Sequence, residues 1–239
     1  MDIPAMKERD GYIGLKDFPG DLLRLFQSAG FIYHSRVAIW KDPLVEATRT
    51  KALGLMHKQL EKDSAMCRQG LPDYLITVRK PGLNPEPIPH KGGLISYAGT
   101  DEPKAAKIPR PNPDKSLLVK HQAYTGGPIY SHQVWRRYAS PVWLDINQSN
   151  TLQKESAREE EDERHICPLQ LDVIERAVQL WTNPNDIVLS PFAGIGSEGY
   201  RALEMNRRFV GIELKESYYR VAVKNLQSAA SKIEQETLF

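Results

Sequence analysis

The chain has 239 residues, 41% of them hydrophobic, with 32 basic and 30 acidic side chains that leave a formal net charge of +2. That length can bury one sizeable core, alone or with a smaller recognition region, and so even a charge balance confines any attraction for nucleic acid to local patches. Cys67 and Cys167 form no Cys-x-x-Cys pair, no apolar run reaches the roughly 18 residues of a membrane span, and MDIPAMKERDGYIG lacks the order of a signal peptide; the expectation is a cytoplasmic protein without disulfide, metal site or membrane anchor.

In chain order, residues 1–80 read as alternating helix and strand. GDLLRLFQSAG carries an apolar stripe of Leu22, Leu23, Leu25 and Phe26 and stops at Gly30. FIYHSRVAIW is a strand by its aromatic and β-branched content. Pro43 then opens a helical stretch in which Ala52, Met56 and Leu60 recur at helix spacing, and DYLITVRK is the next strand. From 81 to 140 the texture changes: prolines at 81, 85, 87, 89, 103, 109, 111, 113 and 128 leave no room for long regular elements, so this is a loop-rich insert. ESAREEEDER, charged at almost every position, reads as a solvated linker or exposed helix.

Residues 141–239 carry the chemistry. LQLDVIERAVQLW has helical periodicity and ends at Asn183-Pro184-Asn185, which leads into the strand DIVLSPF. A glycine-rich turn from Ser190 to Ser197 follows, then a helix, EGYRALEMN, and a strand, RRFVGIEL, that places Glu213 at its carboxyl end. This is a βαβ unit. In open α/β sheets such glycines let backbone approach a ligand, and an acid after the next strand accepts hydrogen bonds from ribose hydroxyls. The glycine pattern alone fits an ordinary structural turn equally well. Gly194, Gly196 and Gly199 do match G-x-G-x-x-G, but Glu198 at the helix start would repel a pyrophosphate and suits a ligand that bears positive charge.

SPFAGIGSEG resembles the D-P-F-x-G-x-G-T/S cofactor loop of the S-adenosylmethionine-dependent DNA amino-methyltransferases, and FVGIEL resembles their acidic second motif. The order is similar to the β-class of that family: Val142-Trp143-Leu144-Asp145-Ile146 stands for its V-W-x-I segment, and His165-Ile166-Cys167-Pro168-Leu169-Gln170 for H-P-x-x-K-P. LFQSAGFIYHSRVAIWKDP is similar to the family's later sheet elements, and the Pro-rich insert to that of prophage-associated members. The resemblance implies a partial Rossmann-like α/β sheet with 1–80 and 141–239 as its parts and 81–140 as a target-recognition insert. It implies S-adenosylmethionine against His165, Pro168, Ser190, Pro191, Phe192, Ala193, Gly194, Gly196 and Ser197, with Glu213 on the ribose.

The sequence departs from the family at three places. Ser190 stands for the usual Asp, and Leu169-Gln170 for Lys-Pro. The third is the catalytic tetrapeptide, [Asp/Ser/Asn]-Pro-Pro-[aromatic], which is absent; the nearest segment, Ser140-Pro141-Val142-Trp143, lacks the second proline. In the β-class order that motif precedes the first helix, and only four strands are evident, at about 31–40, 74–80, 186–190 and 208–213. The expectation is therefore a member shortened at its N-terminus, with a second copy or the missing portion as partner. Lys51, Lys58 and Lys62 share a helix face that reads as a phosphate contact or, equally, as a solvated face interrupted by Glu46 and Glu61. Tyr130, Trp135, Arg136 and Arg137 mix aromatics with cations as base contacts do. Two functions stay open: methyl transfer to an exocyclic amino group of adenine or cytosine in DNA, as in restriction-modification, or a remnant that binds DNA or cofactor without turnover.

Overall fold

The computed structural model describes residues 2–5, 7–12, 14–50, 58–67, 69–89, 138–152 and 168–236. They belong to two compact units, one of Met1–Pro85 with Ala98–Asp145, the other of Glu86–Tyr97 with Ile146–Phe239.

The first unit opens with an antiparallel pair, β1 (Ile3–Ala5) and β2 (Gly14–Lys16), joined through α1 (Lys7–Asp10). Helix α2 (Phe18–Ser28) starts where Asp17 Oδ1 accepts the Gly20 N–H at 2.9 Å. It ends at Gly30, whose φ of +88° suits glycine: the Gly30 N–H donates to Gln27 O, the Phe31 N–H to Phe26 O, and the two phenyl rings meet edge to face at 5.8 Å. That closure delivers the chain into β3 (Ile32–Ile39). Asp42 Oδ1 accepts from the backbone N–H of Leu44 and Val45 and so starts α3 (Pro43–Thr50); α4 (Lys58–Lys62) follows. Strand β4 (Asp73–Arg79) returns antiparallel to β3, from Ile39 opposite Asp73 to Ile32 opposite Arg79, with one irregularity between Tyr33 and Ser35. On the other edge of β3 lies the parallel β5 (Val142–Trp143). Trp143 is 1% exposed and its Nε1–H donates to Tyr138 O at 3.3 Å.

In the second unit α5 (Leu171–Trp181) buries Leu171, Ile174 and Val178, the i, i+3, i+7 stripe its sequence carries. Asn183 and Asp186 close the turn after it, with Asn185 at φ 69°, and the parallel pair β6 (Ile187–Ser190) and β7 (Arg208–Gly211) brackets α6 (Ser197–Glu204). The Arg207 guanidinium donates to Thr182 O and Met205 O, both at 2.7 Å, and ties the C-terminal end of α5 to the start of β7. Helix α7 (Glu216–Glu236) then packs on α6, with Leu226 against Gly199 and Lys232 at Tyr200 and Glu204, and buries Val221, Ala222 and Ala229. The inner face of the strand pair meets these helices: Val188 packs on the α5 cluster, and a Cβ on Gly199 of α6 would stand 2.4 Å from the Phe209 ring. The other face presents Ile187, Leu189, Val210 and Ile212, each about half exposed.

The architecture is an α/β, Rossmann-like arrangement with a partial sheet. The four anticipated strands lie at Ile32–Ile39, Asp73–Arg79, Ile187–Ser190 and Arg208–Gly211, but β1, β2 and β5 join them among the described residues, so the count of four was too low. Strands of two or three residues are too short to display an alternation and exist only through their partners. Strand β7 ends at Gly211, so Glu213 stands two residues beyond it rather than within it.

Burial assigns Trp143 to the core. Trp143→Ala is expected to destabilise the first unit by about 3–5 kcal/mol, read as a lower urea midpoint at unchanged slope.

Candidate functional site

The carboxyl ends of β6 and β7 and the N-termini of α5 and α6 lie at one end of the second unit, because both helices run opposite to the strands they flank. The turn between β6 and α6 is built from its own backbone. Ser190, 7% exposed, closes β6, and its carbonyl accepts the Ile212 N–H at 2.9 Å; the Ala193 N–H answers to Ile212 O at 2.9 Å. Gly194 and Gly196 both have positive φ, +54° and +85°, and the Gly196 N–H reaches Ala193 O at 2.8 Å. The glycines serve different needs. A Cβ on Gly194 would meet nothing within 4 Å, so the turn is open to a ligand there, whereas one on Gly196 would stand 3.3 Å from Ala222 Cα on α7.

Between them Ile195 is buried at 3% among Val221, Tyr218 and Leu152, and its carbonyl accepts the Asn225 Nδ2–H at 2.8 Å. Leu152 also touches the Leu171, Ile174 and Val178 cluster, so one side chain joins the turn to the start of α5. That start is held by Asp172, whose oxygens accept from Asn147 N at 2.8 Å and Asn150 Nδ2 at 2.6 Å.

Glu213 closes the arrangement. Its Oε2 accepts the Gly194 N–H and its Oε1 the Lys215 N–H, each at 2.8 Å. A carboxylate oxygen has two acceptor directions, so each still has one to offer. Phe192 (86% exposed) and Leu214 (98% exposed) flank the turn and the acid as bare apolar surface. Ser197 is buried as the first residue of α6, and Glu198 after it is half-buried, with burial pushing its carboxyl pKa up.

Of the anticipated cofactor residues, Ser190, Pro191, Phe192, Ala193, Gly194, Gly196, Ser197 and Glu213 form this one constellation, Pro168 is half-buried before α5, and His165 lies outside the described residues. Lys58 and Lys62 are exposed on α4; Lys51, Tyr130, Trp135, Arg136 and Arg137 lie outside the described residues. Ser140-Pro141-Val142-Trp143 is no stacking platform: Trp143 is buried, and the Ser140 hydroxyl donates to Val142 O at 2.7 Å. Asn225, Asp172 and Leu152 were not anticipated. Only the spacing of Tyr218, Val221, Ala222 and Leu226 in the sequence signals the helix that supplies Asn225.

A sequence profile of the DNA methylase family, the N6/N4 methyltransferases, matches residues 72–224, more than half of the chain and the whole of this constellation. The chain belongs to that family. M.BglII, a type II methyltransferase of Bacillus subtilis, is 43% identical over 67 residues, which are 28% of this chain and 19% of that protein. M.HindIII of Haemophilus influenzae is 36% identical over 81 residues, 34% of this chain and 26% of that protein. The matched stretch thus spans about a fifth to a quarter of these relatives' length. In fold, the chain is similar to TTHA0409 of Thermus thermophilus, assigned as a DNA modification methylase and solved with S-adenosyl-L-methionine: the TM-score is 0.56 at 17% identity, over 96% of this chain and 67% of that one.

The two glycines separate in stability measurements. Gly194→Ala is expected to cost about 1–2 kcal/mol, the strain of a left-handed backbone alone, while Gly196→Ala costs more because its methyl also meets α7. Urea unfolding of the pair checks the order.

Proposed function

We propose that the chain binds S-adenosylmethionine at the β6–α6 turn and that it is a site-specific DNA amino-methyltransferase, or the cofactor-binding portion of one, acting on an exocyclic amino group of adenine or cytosine. The observation that carries this reading is the turn itself: two left-handed glycines, one facing open space, held against an acid with acceptor capacity left on both oxygens. The residues fit the group. Glu213 accepts from the ribose hydroxyls, the exposed Phe192 and Leu214 offer apolar walls to the purine, and the open Gly194 backbone admits the ligand closely. Pro168 and His165 line the methionine end. When bound, the cofactor supplies an electrophilic methyl group on a sulfonium whose departure leaves a neutral thioether.

Lys51, Lys58 and Lys62 would contact phosphates, and Tyr130, Trp135, Arg136 and Arg137, in the 81–140 recognition insert, the bases; residues 1–80 and 141–239 are the sheet-forming parts, and the compartment is the cytoplasm. The match to the DNA methylase family and the likeness to the type II methyltransferase M.BglII support a DNA substrate and a place in restriction-modification. What these 239 residues do not supply is the Pro-Pro tetrapeptide. An exocyclic amino nitrogen delocalises its lone pair into the ring, and it becomes nucleophilic only when acceptors draw on its hydrogens. Loss of one such preorganised group lowers a rate about a hundred- to a thousand-fold. Good binding of the methyl donor does not compensate, because it does not hold or polarise the nucleophile.

Two outcomes follow. Calorimetry with S-adenosylmethionine or its demethylated product is expected to show one site, weakened by Glu213→Ala by about 1.5–3 kcal/mol for each charge-assisted bond lost; equal binding by the variant would remove the acid from the site. In a labelled-methyl assay on mixed-sequence DNA the chain alone is expected to incorporate no more than background, and sustained turnover would show that it carries amino acceptors of another form.

A further inference from the structure

Among the described residues, Glu198 is the acid at this end of the second unit whose arrangement the turn and the helices do not explain. Its neighbours are engaged: Glu213 with Gly194 and Lys215, Asp172 with Asn147 and Asn150, Glu204 with Arg201 at 2.9 Å, and Glu175 with Arg201 at 3.8 Å. Arg201, three residues on from Glu198 and the nearest cation along the helix, is thus turned to Glu204 and Glu175. The Arg201–Glu175 contact joins α6 to α5, and Tyr200 of α6 and Met205 just after it pack on Leu171, Ile174 and Val178 of α5. One turn before Arg201, Glu198 stands in the first turn of α6, two residues after Gly196 and so directly after the Gly194–Gly196 turn. There it is half-buried, and no cation among the described residues acts on its carboxyl group; burial raises its pKa, opposed only by its own backbone N–H. A partly desolvated carboxylate without a cation is stabilised in its charged form when a ligand brings one.

We propose that Glu198 is a specificity-determining residue of the cofactor site and accepts hydrogen bonds from the α-ammonium group of the methionine moiety. The inference rests on the S-adenosylmethionine reading above. Of the two cations on that ligand, the sulfonium has no N–H to donate, while the ammonium offers three directional donors that a carboxylate receives as charge-assisted bonds. The same acid, standing in the first turn of α6, sets the site against phosphate-bearing nucleotides, for which an unoccupied helix N-terminus would be a ready seat.

Three ligands separate the possibilities by calorimetry on the full chain: S-adenosylmethionine, S-adenosylhomocysteine, which keeps the ammonium and loses the sulfonium charge, and 5′-methylthioadenosine, which lacks the amino-acid end. Glu198→Gln preserves the shape, and 5′-methylthioadenosine serves as the internal measure of an intact site. The expected result is that Glu198→Gln weakens S-adenosylhomocysteine and S-adenosylmethionine alike by about ten-fold or more, the loss of one charge-assisted bond, and leaves 5′-methylthioadenosine unchanged. Unchanged binding of all three overturns the proposal, and so does a parallel loss for all three, which marks a structural role. A loss confined to S-adenosylmethionine assigns the acid to the sulfonium and overturns it too. Failure of the unaltered chain to bind any of the three refutes the cofactor reading itself, and this inference falls with it.

Discussion

Two backbone N–H groups, those of Gly194 and Lys215, converge on the carboxylate of Glu213, one on each oxygen at 2.8 Å. Gly194 and Gly196 have no side chains to hold their left-handed backbone, so something outside the turn must help fix where its amides point. Here that is an acid two residues past the end of the neighbouring strand, reinforced by the exchange between Ala193 and Ile212 and by the Asn225 amide on Ile195 O. The parallel pairing of β6 with β7 sets the distance over which this happens. The pairing brings the acid within reach of the turn, and the acid gives the Gly194 N–H its partner. Fold and site are therefore one set of contacts in this part of the chain.

The second support is hydrophobic and less local. Ile195 points down into Val221 and Tyr218 while Leu152 shares itself between that group and the Leu171, Ile174 and Val178 cluster. A turn that is open on one side at Gly194 is thus anchored by burial on the other. Asp172 plays the corresponding part at the start of α5: Gln170, in the cap position, makes no side-chain cap bond, and Asp172 instead ties the 147–150 stretch to the first turn of the helix.

Much of this was legible in the sequence, and for identifiable reasons. The stripe in LDVIERAVQLW, the Asn-Pro-Asn turn and the Gly-rich run into EGYRALE are local patterns, each set by backbone stereochemistry within a few residues. The spacing from Ser190 to Glu213 brought the acid to the turn because one strand–helix–strand unit has little freedom in length. What could not be read is what depends on distant partners. Strand β5 is two residues long and exists because β3 accepts it; β1 and β2 are three residues each. The role of Asn225, thirty residues after Ile195, is invisible until α7 is folded against α6. The sequence suggested Glu213 as an acceptor for a ligand, and its place as the clamp on its own turn was not legible there, since a sequence does not reveal which lone pairs the protein will use for itself.

Half-exposed Ile187, Leu189, Val210 and Ile212 give the β6–β7 pair a character that bears on handling rather than chemistry. Parallel strands are normally covered on both faces, and here one face is aliphatic and bare, while each strand has a single hydrogen-bonded neighbour among the described residues. Such a surface is both adhesive and templating, because an open strand edge directs how a second chain adds once apolar contact has brought it near. A net charge of only +2 provides little long-range repulsion to oppose that encounter. The two strands that position the Gly194–Gly196 turn therefore also offer an aliphatic face and open edges on which a second chain can settle.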